Sequence, residues 1–252
     1  MFAASVALVG PALAADKPTV ILVHGAFADS TSWDGVAKTL TGDGYTVISA
    51  ANPLRSLSGD AAFVSDIVKS VKGPVVLVGH SYGGEVITNA ANGATNVKAL
   101  VFVAAFAPDA GESGISLSGK FPGGTLGTAL SPPVKLASGG QDLYIDQSKF
   151  HDQFAADVPA AKAKLMAIAQ RPVTQGALEE KSGDPAWKGI PSWFVYGDAD
   201  KNIPPKALAW MAERAKSKQT VVVKGGSHVV MVSHPETVTK LIEKASTAAA
   251  GQ

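Results

Sequence analysis

The sequence predicts a single α/β domain whose mostly parallel sheet carries helices on both faces. The chain has 252 residues, 46% hydrophobic and 17% charged, which suits one compact domain. Short runs rich in Val, Ile and aromatic residues alternate with segments of helical periodicity along much of it. Those runs are apolar almost throughout, as is typical of strands buried on both faces.

Six segments are predicted as strands because each is brief and rich in β-branched or aromatic residues. They are residues 19–24, 45–50, 74–79, 97–104, 192–197 and 219–224. Helices are expected between most of them. Gly42 and Gly44 mark a helix end before the second strand. Apolar residues at three-and-four spacing predict a helix over 64–71, which Gly73-Pro74 ends before the third strand.

Residues 105–190 interrupt this alternation. Gly, Ser and Pro are frequent between positions 108 and 140, and helices are predicted near 146–156 and 159–170. Because a structureless loop of this length is unusual in a compact domain, we interpret the segment as a helical cap over the active site. It is inserted between the core segments 16–104 and 191–252. The alternative is a second small domain with no role in binding.

The first fifteen residues are apolar or small and end in Ala12-Leu13-Ala14-Ala15, a small-x-small pattern typical of a signal-peptidase site. We therefore expect residues 1–15 to be a signal peptide and the mature protein to be periplasmic or secreted. Two alternatives stay open, because no basic residue precedes the apolar run: a start upstream of Met1, or a buried strand or helix. No other segment has the ~20 apolar residues needed to span a bilayer, so no stable membrane association is expected.

The charge balance and the missing motifs narrow the chemistry. The 22 basic and 21 acidic residues are spread without like-charge runs, which argues against a nucleic-acid partner. No cysteine is present, so a thiolate nucleophile or metal site is excluded. Dinucleotide, P-loop and zinc-protease motifs are missing, and no cofactor or metal is expected. The oligomeric state stays open.

A G-x-S-x-G motif at residues 79–83 lies directly between the strand 74–79 and a helical stretch over 85–92. Glycines two positions to either side of Ser81 leave room for a tight, strained turn that exposes the serine hydroxyl. This placement predicts Ser81 as a nucleophile at the carboxyl end of the sheet. The backbone N–H of Tyr82, at the start of the helix, would face a developing oxyanion.

A serine nucleophile needs a histidine base and an acid that orients it. In folds with this turn the chain order is serine, acid, histidine, which leaves His228 and His234 as bases. His228 follows the last strand through Gly225 and Gly226, so we predict it as the base, and His234 as a helix-entry or packing residue. For the acid, Asp198 and Asp200 both follow the strand 192–197, and their spacing does not separate them.

Together these segments resemble the α/β-hydrolase superfamily, from about Lys17 to Lys244. In that family the acid commonly lies three residues after the strand-ending glycine and shortly before a proline. Gly197, Asp200 and Pro204 fit this pattern, so the resemblance implies Asp200 as the acid, with Asp198 as second choice. His24-Gly25-Ala26-Phe27 stands where the family has its HG motif, which implies the Ala26 N–H as second oxyanion donor.

More narrowly, residues 104–109 and 232–235 are similar to bacterial, often exported, hydrolases near the plant methylesterase and hydroxynitrile lyase branch. The resemblance implies a serine esterase acting on a small-molecule carboxylic ester, small to medium in size and apolar. We expect Phe27, Phe106 and Trp187, together with Tyr82, to line the substrate pocket.

Three other activities are weighed against esterase activity. Hydroxynitrile lyases have a threonine in the oxyanion loop and a lysine after the histidine, where this chain has Ala26 and Val229. A cofactor-free haloperoxidase or perhydrolase would share the same triad, and the sequence leaves it open as a side activity. A catalytically silent binding protein on the same fold is disfavoured because Ser81, Asp200 and His228 are all present.

Overall fold

The computed structural model describes residues 17–250. The strands in this range are β1 (Thr19–Val23), β2 (Val47–Ala50), β3 (Val75–His80), β4 (Val97–Val103), β5 (Val134–Lys135), β6 (Gln141–Leu143), β7 (Val173–Thr174), β8 (Ser192–Gly197) and β9 (Thr220–Val223). Six of them form a parallel central sheet in the order β2-β1-β3-β4-β8-β9. These six coincide with the six predicted strands to within two residues at each end, which confirms the α/β prediction.

The helices of the described residues are α1 (Asp34–Gly42), α2 (Leu57–Ser70), α3 (Gly83–Ala90), α4 (Gly114–Ser118), α5 (Leu126–Ala129), α6 (Gln147–Phe154), α7 (Ala160–Ala169), α8 (Gln175–Glu179), α9 (Pro205–Arg214), α10 (Val230–Ser233) and α11 (Pro235–Ala250). Helices α2 and α3 pack together, as do α1 and α11, and both α3 and α11 contact the sheet. Every residue of β3 is buried. Because successive strand residues point to opposite faces, both faces of the sheet are covered.

Strand β1 lies between β2 and β3. The connection from β1 to β2 therefore runs to one side of β1, and the connection from β2 to β3 crosses to the other side. Such a reversal in strand order opens a crevice at the carboxyl ends of the strands, where α/β proteins bind ligands. The loops that follow β1 and β3 meet at this point. They contain Ala26 and Ser81.

Residues 105–190 form α4 to α8 and a small antiparallel sheet in the order β5-β6-β7. Helices α6 and α7 match the two predicted helices. The description of this segment as helical was incomplete, because the small sheet and the short helices α4, α5 and α8 were not predicted. With two to five residues each, these elements are too short to show a periodicity in the sequence.

The predicted signal peptide, residues 1–15, lies outside the described residues. Within residues 17–250, no helix combines the length and the apolar character needed to cross a membrane.

Candidate active site

Ser81 occupies the tight turn between β3 and α3. Its φ of +53° lies in the left-handed region, which a non-glycine residue adopts only when the surroundings enforce it. A Cβ at Gly79 would lie 2.5 Å from the Gly83 carbonyl oxygen, and one at Gly83 would lie 2.5 Å from that of Val23. Both glycines are therefore required by close backbone approach, as the motif predicted, and the turn exposes the serine hydroxyl at the crevice.

Asp200 and His228 form a buried pair. Asp200 Oδ2 lies 2.7 Å from His228 Nδ1, and the two residues are only 4% and 1% exposed. The other carboxylate oxygen, Oδ1, accepts hydrogen bonds from the backbone N–H groups of Asn202 (2.8 Å) and Ile203 (3.0 Å). A carboxylate can only accept, so in the neutral imidazole the proton lies on Nδ1. That leaves His228 Nε2 unprotonated, the form that a general base needs.

Asp198, the second choice for the acid, has a different place. Its side chain is exposed, and its Oδ1 accepts a hydrogen bond from the Gly225 N–H at 2.6 Å. This hydrogen bond joins the loop after β8 to the loop after β9. Between the two candidates, the geometry brings only Asp200 to His228.

The loops that carry Asp200 and His228 contact each other through two glycines. A Cβ at Gly197 would lie 2.9 Å from the Gly226 Cα and would overlap the Gly226 carbonyl. The Ala199 N–H also donates to the Gly226 carbonyl oxygen at 3.1 Å. These contacts hold the ends of β8 and β9 together, which positions the acid against the imidazole.

Ser81 and His228 line one cavity of about 270 Å³. Among the described residues, the Ser81 hydroxyl forms no hydrogen bond with the His228 ring. Catalytic hydrogen bonds are often long in unliganded enzymes and tighten when substrate binds. The His228 ring is held on its other sides by Phe154 and His80, whose ring centroids lie 5.2 and 4.8 Å away.

The two predicted oxyanion donors lie side by side in the same cavity. A Cβ at Gly25 would lie 2.7 Å from the Ser81 Cβ and 3.1 Å from the Tyr82 nitrogen, so the loop after β1 packs directly on the serine turn. The backbone N–H groups of Ala26 and Tyr82 donate to no acceptor within residues 17–250. Two unpaired N–H groups beside a serine hydroxyl can receive the oxyanion of a tetrahedral intermediate.

Two other histidines support the site without entering it. His24 is fully buried, its Nδ1 lies 2.9 Å from the Gly25 carbonyl oxygen, and burial lowers its pKa to about 4. His80 Nε2 lies 3.1 Å from the His228 carbonyl oxygen, and burial holds the pKa of His80 well below its usual range. Both rings are neutral at pH 7. Since a carbonyl only accepts, His80 Nε2 donates and fixes the backbone of His228.

His234 lies away from Ser81. Its Nε2 is 3.3 Å from Asp157 Oδ2, and its side chain is 39% exposed. The same aspartate accepts a hydrogen bond from the Ser227 hydroxyl. His234 therefore connects the start of α11 to the segment between α6 and α7, in agreement with its expected place at a helix entry.

Three of the four aromatic residues expected in the pocket, Phe27, Tyr82 and Phe106, line the cavity. The Trp187 prediction is wrong. The indole Nε1 of Trp187 donates to the Pro108 carbonyl oxygen at 2.8 Å, and its ring lines a separate cavity near the start of β8. The reason is topological, because the chain enters β8 at its amino end, whereas Ser81 lies at the carboxyl ends of the strands.

Sequence reasoning missed most of the cavity wall. The wall residues that it missed are Gly114, Ile115, Ser118, Gly124, Leu126, Gly127, Leu130, Leu143, Phe154, Leu178, Asn202 and Ile203. They come from several short elements between 114 and 203, and a sequence pattern does not show which of these face one another. Asn202 and Ile203, however, lie within the motif that ends at Pro204. None of the lining side chains is an acid, a lysine or an arginine.

A buried acid lies just outside this wall. Glu85, in the first turn of α3, is fully buried, and neither of its carboxyl oxygens has a hydrogen-bond partner among the described residues. Burial raises the pKa of Glu85 well above its ordinary value. Burial therefore favours the neutral form of the Glu85 carboxyl group.

A parallel sheet of this strand order, with a serine in a strained turn at its topological switch point, defines the α/β-hydrolase fold. The alpha/beta hydrolase family model matches residues 20–241, and the chain belongs to this family.

The relatives of this chain include several enzymes. An alpha-hydroxynitrile lyase of Arabidopsis thaliana is 25% identical over 87% of this chain and 93% of its own length. A carbendazim-hydrolysing esterase of Nocardioides is 32% identical over 45% of this chain and 49% of its own length. The crystal structure of a polyneuridine aldehyde esterase superposes with a TM-score of 0.78 at 17% identity, covering 92% of this chain and all of that one. That structural likeness shows the shared fold.

Proposed function

We propose that this protein is a serine hydrolase that cleaves small, neutral carboxylic esters through an acyl-enzyme intermediate. The observation that carries the proposal is the buried Asp200–His228 pair in contact with the cavity that also holds Ser81. The esterase relatives support the same class of reaction.

In the first half of the reaction, His228 Nε2 takes the proton of the Ser81 hydroxyl as its oxygen attacks the ester carbonyl carbon. The carbonyl oxygen becomes an oxyanion and accepts hydrogen bonds from the N–H groups of Ala26 and Tyr82. Asp200 holds the imidazole in the required tautomer and stabilises its charged form. His228 then donates its proton to the leaving alkoxide, and the alcohol departs.

In the second half, a water molecule takes the place of the alcohol. His228 removes a proton from this water, whose oxygen attacks the acyl carbon. The same two amides stabilise the second oxyanion. When the intermediate collapses, the bond to Ser81 breaks, the proton returns to the serine oxygen, and the carboxylic acid is released.

The cavity indicates the kind of ester. Its lining is mainly aliphatic and aromatic and has no charged side chain, so the substrate is expected to be neutral and apolar. Its volume of about 270 Å³ lies just below the usual range for ligand cavities, ~300–1,000 Å³. We therefore expect short acyl chains to react faster than long ones. We further propose that residues 105–190 act as a cap that selects substrates, since most of the cavity wall comes from this segment.

Cyanohydrin cleavage is the competing activity because of the Arabidopsis relative. A cation near the leaving cyanide would stabilise its developing negative charge. The residue after His228 is the fully buried Val229, and the cavity has no cationic side chain. These features favour ester hydrolysis.

The test is a panel of 4-nitrophenyl esters from acetate to palmitate, with mandelonitrile as the cyanohydrin, run with wild-type protein and Ser81→Ala. We expect turnover of short esters, no cyanide release and a loss of several orders of magnitude in kcat for Ser81→Ala, up to ~10⁶ as in another triad enzyme. Cyanide release would support the lyase. Silence on every compound, or turnover retained by Ser81→Ala, would contradict the proposal.

A further inference from the structure

The loop that carries His228 has two consecutive glycines, Gly225 and Gly226, shortly before the histidine. Gly225 has a φ of +71°, in the left-handed region that glycine adopts without strain. Because glycines give a loop many alternative conformations, contacts from outside the loop must hold the histidine in one place. His80 supplies one of them from the core, by donating to the His228 carbonyl oxygen. Ser227, between the glycines and the histidine, is buried and receives a separate contact.

Asp157 supplies the contact with Ser227. It lies in the connection between α6 and α7, within the inserted segment 105–190. Its Oδ1 accepts a hydrogen bond from the Ser227 hydroxyl, and its Oδ2 lies 3.3 Å from His234 Nε2. A hydrogen bond to a carboxylate is stronger than one to a neutral acceptor. The inserted segment is thus bonded to the residue directly before the proposed base.

The connection that carries Asp157 is itself held in place. His151 Nε2, in α6, lies 2.8 Å from the carbonyl oxygen of Val158, the residue after Asp157, and Val158 is buried. Phe154, at the end of α6, places its ring centroid 5.2 Å from that of the His228 imidazole. The inserted segment therefore contacts the histidine loop at two points, the imidazole ring and the residue before it.

We propose that Asp157 is a positioning residue for the reaction, holding the loop through Ser227 so that His228 Nε2 is directed at Ser81. This inference rests on the proposed ester hydrolysis. Asp157 is not among the residues that line the cavity, so it acts through Ser227 and not on the substrate. The inserted segment then contributes to the rate of proton transfer as well as to the choice of substrate.

Loss of this contact is expected to lower kcat and to leave KM nearly unchanged. The apolar wall that binds the acyl group stays intact, whereas a displacement of about 1 Å at a catalytic group can slow a reaction ~10²-fold. Asp157→Ala should therefore lower kcat for 4-nitrophenyl acetate roughly 10- to 100-fold, with KM within about threefold of wild type. Asp157→Asn keeps an oxygen that can accept from Ser227 and should restore kcat to within about fivefold of wild type.

Ser227→Ala removes the same hydrogen bond from the other side, so it gives a second measurement if Asp157→Ala does not fold. The double variant should be no slower than the slower single variant, because both substitutions remove one shared contact. Every kcat is measured well below the Tm of the variant, where a loss of stability alone leaves kcat unchanged.

Asp152→Ala is the matched control. Asp152 is another aspartate of the inserted segment, and it bonds to Lys201 of the core at 2.8 Å. Its side chain is 84% exposed, against 17% for Asp157. Because exposed ion pairs contribute little, kcat of this variant should stay within about threefold of wild type.

The outcomes separate the two proposals. A wild-type protein that hydrolyses no ester would refute the proposed function and, with it, the positioning role. If the wild type is active and both Asp157→Ala and Ser227→Ala keep its kcat, the positioning role alone is refuted. A raised KM at unchanged kcat, or a loss in kcat that Asp157→Asn does not restore, would also refute it.

Discussion

Replacing Asp200 with asparagine exchanges one carboxylate oxygen for an amide nitrogen. The substitution therefore tests the buried Asp200–His228 pair. In the wild type, Oδ1 accepts from two backbone N–H groups and Oδ2 lies 2.7 Å from His228 Nδ1. An asparagine has only one oxygen, and an amide nitrogen cannot accept. If the oxygen stays with the two backbone donors, the side-chain NH₂ faces His228 Nδ1.

This arrangement forces the wrong imidazole tautomer. Nδ1 must then accept, so the ring proton moves to Nε2, and Nε2 can no longer take the proton of Ser81. The same tautomer change lowers kcat about 10⁴-fold in a well-studied serine protease, equivalent to about 5.5 kcal/mol of transition-state stabilisation. We expect a loss of this size in kcat/KM for Asp200→Asn, with little change in fold because the two backbone hydrogen bonds are kept.

The assay is hydrolysis of 4-nitrophenyl acetate at pH 8, with thermal unfolding as the check on folding. Asp198→Asn is the matched control, because Asp198 is exposed and an asparagine oxygen can still accept from Gly225. It should stay within about threefold of wild type, as is typical of surface substitutions. A folded Asp200→Asn protein within tenfold of wild type, or a greater loss in Asp198→Asn, would refute this reasoning.

Two further predictions follow from the site. Gly25→Ala would place a Cβ 2.6 Å from the His80 carbonyl oxygen and displace the Ala26 N–H, so kcat for short esters should fall roughly 10²- to 10³-fold; a KM effect alone would argue against a role in the oxyanion site. Because burial raises the folded-state pKa of Glu85, its stabilising contribution is complete below the ordinary carboxyl pKa and is lost as pH rises through the raised value. Urea unfolding should therefore show wild type losing stability relative to Glu85→Gln between pH 5 and pH 9; an equal difference at both pH values would contradict this.

The parts of the site that depend on local backbone geometry could be predicted from sequence. The glycines around Ser81 are required by contacts within one turn and with the adjacent strand, so a short motif is enough to indicate them. The six strands were predictable for a similar reason, since burial on both faces leaves an apolar run in each.

The parts of the site that depend on tertiary packing could not be predicted from the sequence. Asp198 and Asp200 lie in the same turn, and only their contacts with the loop after β9 distinguish them. Trp187 is an aromatic residue at the end of the inserted segment. Because the chain enters β8 at its amino end, Trp187 lies at the opposite end of the strands from Ser81. The side chain of Gln153 donates to that of Asn202 in the cavity wall, and the two residues are 49 positions apart in the sequence.

Covalent labelling tests the central claim most directly, since an organophosphate ester reacts with a serine only where a base activates it. Wild-type protein should be incubated with diethyl 4-nitrophenyl phosphate and its intact mass measured, with the labelled peptide then sequenced. We predict one diethylphosphoryl group per chain, located on Ser81, and none on Ser81→Ala; His228→Ala should react far more slowly. A label on another residue, or an unmodified wild-type protein that still hydrolyses esters, would contradict Ser81 as the activated nucleophile.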